Sequence, residues 1–300
     1  MYLMGIDGGG STVRVMIITP DLTVRAEYIG PAVNPSAIGR DEAARRIQDA
    51  MRENIRQGGL APEQIAGVGV GVAGASNRYA WAVDWLRTTV HAVTPNANIV
   101  PSSDFEIALV GAHGQRLGIL LLAGTGSLAY GVNGAGDSAL VGGWGYLLGD
   151  EGSGYWLGMR ALQVAARMAD GRGPDTALYA AVMTALKLDD PLELIPWLYQ
   201  QPARVQDVAR LAPLVLDSAT QGDKVARSLV DTAAMELTLA VRTIRHRLDL
   251  HGHQPMFAGS LLSTANPLSE QVCQLLDMPS LPTPRYTPVM GGALLARAAQ

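Results

Sequence analysis

Short apolar runs, each closed by glycine or by a polar cluster, set the rhythm of the first third of the chain. Residues 2–6, 13–19 and 24–29 are runs of this kind and predict three strands, the first two forming a hairpin. At residues 41–57 the period changes to that of a helix, with Ala43, Ile47, Ala50, Met51 and Ile55 on one face. Residues 66–72 then read as a strand, 78–93 as a helix and 97–100 as a strand. Residues 105–113 read as a short helix opening just after Asp104. The order partly restarts at residue 117, with a strand at 117–122, a turn, and a strand at 127–132. A restart of this kind points to duplicated halves. The remainder is richer in helix, at 154–168, 176–186 and 223–248. In the last of these, Val225, Leu229, Ala233, Leu237, Val241, Ile244 and Leu248 form one stripe. Arg242, Arg245, His246 and Arg247 suit the negative end of that helix and read as a solvated terminus. Pro255–Ala258 returns as a strand, a helix follows near 267–276, and the pair Gly291-Gly292 opens a terminal helix.

Both hairpins of this pattern turn on glycine and hydroxyl residues. The first carries Asp7-Gly8-Gly9-Gly10-Ser11-Thr12 and the second Ala123-Gly124-Thr125-Gly126-Ser127. Such tips expose backbone N–H groups at short range and can hold phosphate oxygens without a lysine. The two lysines, Lys187 and Lys224, lie in neither turn, so a Walker A loop is excluded. Two tips of this kind suggest two jaws around a polyphosphate.

Composition narrows the picture. Three hundred residues, 48% hydrophobic and 17% charged, suit two domains with ample core material. A net charge of −4 without a basic stripe argues against nucleic acid as a partner. The lone cysteine, Cys273, excludes an intrachain disulfide and a cysteine-based zinc or iron–sulfur site. No signal peptide or membrane-length apolar stretch is evident, so a cytoplasmic protein without membrane partners is expected. The five histidines show no metal-ligand spacing.

Five motifs, taken in order, carry a resemblance. They are Gly5-Ile6-Asp7-Gly8-Gly9-Gly10-Ser11-Thr12; Ser103-Asp104; Ala123-Gly124-Thr125-Gly126-Ser127; Gly142-Gly143-Trp144-Gly145-Tyr146-Leu147-Leu148-Gly149-Asp150-Glu151-Gly152-Ser153-Gly154; and Phe257-Ala258-Gly259-Ser260 with Gly291-Gly292-Ala293. Together the chain resembles the sugar-kinase, heat-shock-70 and actin superfamily, in its BadF/BadG-type ATPase branch. Within that branch it looks most like the N-acetylglucosamine and glucosamine kinases. The resemblance implies an α/β fold of two ribonuclease-H-like (actin-like ATPase) domains around a nucleotide-binding cleft. Residues 1–115 with the terminal helix 288–300 would form the first domain and 116–287 the second. It also implies ATP and Mg²⁺, an amino-sugar acceptor phosphorylated on its 6-hydroxyl, and a homodimer, the common state among relatives.

The same resemblance assigns roles. Asp7 would hold Mg²⁺, because a carboxylate cannot touch phosphate directly; it also reads as a turn-former. Asp104 would be the base that takes the acceptor proton; it also reads as a helix N-cap. Gly9, Gly10, Ser11 and Thr12 would meet the nucleotide phosphates, and so would Gly124, Thr125 and Gly126. Gly259, Ser260, Gly291 and Gly292 would border the adenosine, although packing against the core competes for the last pair. Asn34, Trp144, Gly145 and Asp150 would contact the sugar, with Asp104 beside it. Packing competes for Trp144, and a plain Asn-Pro turn for Asn34. Glu151 reads as a first-turn acid of the following helix. Residues 71–77 would border the sugar. The choice among N-acetylglucosamine, glucosamine and a muramic-type sugar stays open.

Overall fold

The computed structural model describes residues 1–199 and 205–300, and they divide into two compact units. Unit 1 comprises Met1–Gly118 and Thr283–Gln300, and unit 2 comprises Ile119–Pro282.

Unit 1 begins with strands β1 (Tyr2–Gly8), β2 (Thr12–Ile18) and β3 (Val24–Pro31). Helices α1 (Pro35–Ile38) and α2 (Arg40–Gly58) follow, then β4 (Ile65–Val72), α3 (Ala80–His91), β5 (Asn98–Ser102) and α4 (Asp104–His113). The sheet order is β3-β2-β1-β4-β5. The first three strands form an antiparallel meander, and β4 and β5 run parallel to β1. Strand β1 lies between two neighbours and is buried along most of its length, which is why it lacks apolar/polar alternation. On one face of the sheet, the predicted stripe of α2 packs with Leu86 and Val90 of α3 against Ile6, Val15, Val68 and Val70.

Unit 2 begins with β6 (Gly118–Ala123), β7 (Ser127–Val132) and β8 (Ser138–Gly142). Helices α5 (Gly154–Ala169), α6 (Ala177–Leu186), α7 (Leu194–Tyr199), α8 (Val205–Ala209), α9 (Ala212–Thr220) and α10 (Lys224–Leu248) come next, then β9 (Pro255–Ala258) and α11 (Pro267–Leu275). Its sheet order, β8-β7-β6-β9, repeats β3-β2-β1-β4 of unit 1. The stripe of α10 differs from the expected one in its first turns. Ala226 and Val230 are buried there, whereas Val225 and Leu229 are only partly covered. A straight helix drifts relative to any fixed repeat, and neighbours on α9 and α11 select which residues face inward.

The last helix, α12 (Pro288–Ala298), returns to unit 1 and covers the other face of its sheet with Val289, Met290, Ala293 and Ala296. Here the expectation for Gly291-Gly292 is corrected. The pair lies inside the helix, buried, and not in a turn at its start. A Cβ on Gly291 would strike the Ile107 carbonyl of α4, and one on Gly69 of β4 would strike the Gly292 carbonyl. Helix α12 therefore approaches backbone to backbone, which only glycine permits.

Candidate functional site

In unit 1 the candidate residues gather at the carboxyl ends of the parallel strands, where open α/β sheets present ligand-contacting groups. Asp7 pairs in register with Arg14 on β2 and with Gly71 on β4, and Gly71 in turn pairs with Ser102 on β5. Two residues beyond Ser102, Asp104 is the first residue of α4. Ser103, and not Asp104, is the N-cap: its hydroxyl accepts from the Glu106 N–H at 3.1 Å. The capping alternative for Asp104 thus falls away, and its carboxyl stands partly buried at a helix N-terminus. Burial raises its pKa, while the N–H groups of Phe105 and Asp104 itself pull the other way. Asp7 is raised from 3.8 to about 6, chiefly by burial, next by the charge of Asp104, with Arg14 offsetting. Two carboxylates close enough to repel make a donor set suited to Mg²⁺, which takes one or two carboxylates and completes its shell with phosphate oxygens and water.

The hairpin tip between β1 and β2 is tied by Gly9 N–H to the Thr12 carbonyl at 2.9 Å. Gly10, Ser11 and Thr12 are exposed, and the space over the Gly10 Cα is open, so a ligand can reach bare backbone there. Residue 73 is held to this tip, its N–H donating to the Gly8 carbonyl at 2.8 Å. Asn34 caps α1, its Oδ1 accepting from the Ser36 N–H at 2.9 Å. It also lies against Gly74, whose φ of +79° and crowded Cα position admit only glycine comfortably. The structure therefore brings Asp7, Asn34, Asp104 and the 71–77 segment to one end of one sheet.

In unit 2 the second turn is pinned from two sides. Gly124 N–H donates to the Gly126 carbonyl at 2.9 Å, so that group is used within the turn. Gly154 and Tyr155, at the start of α5, donate to the Gly124 and Thr125 carbonyls at 2.8 and 3.2 Å. From the other side, Leu261 N–H donates to the Ala123 carbonyl at 3.1 Å, and Gly259, at φ +85°, abuts that same carbonyl. Thr125 itself stays exposed. Gly124, Thr125, Gly126, Gly259 and Ser260 thus lie together. Beside Ser260 opens a cavity of about 330 Å³, lined by Asp217, Thr220, Leu261, Thr264 and Asn266 among others.

The glycine-rich segment after β8 carries Trp144, which is 74% exposed, and Gly145, Tyr146, Leu147 and Leu148, also exposed. Packing therefore does not explain Trp144. Asp150 behaves differently: it is 8% exposed, at φ +59°, with Oδ2 only 2.7 Å from where a Gly126 Cβ would stand. Burial pushes its carboxyl pKa up most, the Ser127 N–H pulls it down, Glu151 raises it and the Gly145 N–H lowers it. Its carboxylate thus faces backbone of the Gly124–Ser127 turn and of the Trp144 loop. Glu151 is not a first-turn acid, because Ser153 caps α5 and places Glu151 outside the helix. Its carbonyl accepts from Ser127 Oγ at 2.8 Å.

One charged residue at the site escaped sequence reasoning. Glu106, 3% exposed, lies in the first turn of α4 and contacts Asn77, Ser102 and Arg116. The spacing Ser103-x-x-Glu106 carried only the signal of a capping box.

Two units of one strand order, each with a glycine turn at the end of its first hairpin, define an α/β protein of the actin-like ATPase fold. A ROK family glucokinase of Streptomyces griseus, solved with glucose and AMPPNP, shares that fold at TM-score 0.56 and 17% identity.

 The alignment spans 99% of this chain and 100% of the glucokinase. The chain belongs to the BadF/BadG/BcrA/BcrD ATPase family, whose model matches residues 4–296. It is 31% identical to an N-acetylmuramic acid/N-acetylglucosamine kinase of Clostridium acetobutylicum, over 92% of this chain and 90% of that one. It is also 30% identical to a Chromobacterium violaceum protein described as a candidate N-acetylglucosamine kinase. That crystal structure matches at TM-score 0.78 over 99% of this chain and 98% of its own.

Proposed function

We propose that this chain is an ATP-dependent amino-sugar kinase that phosphorylates the 6-hydroxyl of N-acetylglucosamine or glucosamine. The observation that carries the reading is Asp104: a partly buried carboxyl of raised pKa, at the end of a parallel sheet and beside Asp7. Family membership and the two kinase relatives support it.

In this reading Asp104 accepts the proton from the sugar O6 as the O6–Pγ bond forms and the bond from Pγ to the bridging oxygen breaks, releasing ADP. The proton leaves late, so a carboxylate is a sufficient base. Gly10, Ser11 and Thr12 in unit 1 present donors to the phosphates, the Gly9 N–H being used within its own turn, as do Thr125 and Gly126 in unit 2. Donors placed in advance in this way stabilise charge on the transferred group. Asp7 would hold Mg²⁺, which when bound neutralises phosphate charge. Asn34, whose Oδ1 is taken by its cap, retains its amide N–H groups for sugar hydroxyls. The exposed face of Trp144 suits the apolar face of a pyranose. The cavity beside Ser260 would receive the adenosine. Asp150 would orient the phosphate turn and the Trp144 loop.

A coupled assay of ADP release with Mg-ATP and a panel of sugars tests the reading. Sugar-dependent turnover is expected with an amino sugar. Asp104→Asn should lower kcat by about 10²–10⁴-fold while nucleotide binding stays within twofold. Wild-type turnover in that variant would remove Asp104 as the base.

A further inference from the structure

The side chain of Glu106 is turned away from the local partner its position offers. Ser103 and Glu106 stand at capping-box spacing, and half of the box forms, with Ser103 Oγ accepting from the Glu106 N–H. In the other half a glutamate reaches back to the N-cap N–H. Here its two oxygens go elsewhere. Oε2 accepts from Asn77 Nδ2 at 2.8 Å and from Ser102 Oγ at 2.8 Å, and Oε1 accepts from Arg116 Nε at 2.8 Å. The side chain is 4% exposed, against 43% for Arg116. A carboxylate this buried is strongly unfavourable unless it is paired and hydrogen-bonded, and here donors from three segments satisfy it. Those segments are the loop after β4, the end of β5 and the connection that follows α4.

The three meet at the site. Asn77 ends the 71–77 segment, whose Gly74 rests against Asn34. Ser102 and Glu106 flank Asp104 in sequence, one at the strand end and the other within the first turn of α4. The 73–77 loop is therefore held between Asn34 on one side and Glu106 on the other. A buried, fully satisfied network of this kind admits one arrangement of its members.

We propose that Glu106 is a positioning residue: through Asn77 and Ser102 it fixes the acceptor-side loop relative to Asp104. The inference rests on the amino-sugar kinase reading. Its consequence is selective. Loss of the tie lets the loop move against the base, which lowers productive acceptor binding and leaves the nucleotide turns of both units as they were.

The test uses Glu106→Gln, Asn77→Ala and the double variant, with kcat and KM measured for the amino sugar and for ATP, and with thermal unfolding alongside. In Glu106→Gln the new amide N–H₂ faces donors and at least one bond is lost. Each single variant is expected to lose at least tenfold in kcat/KM for the sugar, with KM for ATP within twofold of wild type. The double variant is expected to be no worse than the poorer single variant by more than twofold, because both cut one tie. Unchanged sugar kinetics, strictly additive losses, or equal losses for sugar and ATP would overturn the proposal. If Glu106→Gln fails to fold, Asn77→Ala decides alone, since its side chain lies on a partly exposed loop. An inactive wild type would bring down the kinase reading and this inference with it, whereas an active wild type with unmoved variants brings down this inference only.

Discussion

Asp7→Asn should make the ligand-free protein more stable at pH 8 while removing the carboxylate proposed to hold Mg²⁺. The Asp7 carboxyl is raised from 3.8 to about 6 in the folded state, chiefly by burial, then by Asp104, with Arg14 opposing. Between those two values the folded chain keeps a proton that the unfolded chain has released. Stability therefore falls as pH rises through that window, and above about pH 6 the whole cost is present. At about 1.4 kcal/mol per pH unit, the cost is about 3 kcal/mol. Asparagine has the same shape and no charge, so the variant should exceed wild type by up to about 3 kcal/mol at pH 8 and match it below about pH 4. Urea unfolding at pH 4, 6 and 8 reads the difference; Trp81 and Trp85 report on unit 1. Saturating Mg-ATP should narrow the gap at pH 8, because ligand binding to the folded state stabilises wild type more. A gap that does not change with pH, or a variant less stable than wild type at pH 8, would refute the reasoning.

Two further outcomes follow from packing. Gly291→Ala drives a methyl into the Ile107 carbonyl and should cost about 3 kcal/mol or more in urea unfolding, so a midpoint equal to wild type would contradict the backbone contact. Trp144→Ala removes a ring that is 74% exposed, so stability should stay within about 0.5 kcal/mol of wild type while KM for the sugar rises about tenfold. A destabilisation above about 1 kcal/mol would show the ring packed instead.

The elements legible in the sequence were those whose signal is local and long enough to repeat. Helix α2 shows its buried face over five turns, and the β1–β2 hairpin shows two apolar runs about a glycine tip. Helices α7, α8 and α9 show no such stripe: each is short, Pro196 lies inside α7, and Pro213 stands in the first turn of α9. Strand β8 is five residues, Ser138 exposed and the rest partly covered, too brief and too mixed to stand out.

The glycine turns, Asp7, Asp104 and the family resemblance were thus within reach of the sequence alone, because a turn and the residues it presents lie within a few positions of each other. Tertiary structure decided what depends on distant partners. It set Gly291 and Gly292 inside the terminal helix, pressed on α4 and β4, moved the cap from Asp104 to Ser103, and buried Asp150 against the Gly124–Ser127 turn. It also drew Glu106 out of a local cap and onto Asn77 and Arg116. The physical reason is the same each time: a polar or small residue is read by what it touches, and close packing chooses that neighbour from anywhere along the chain.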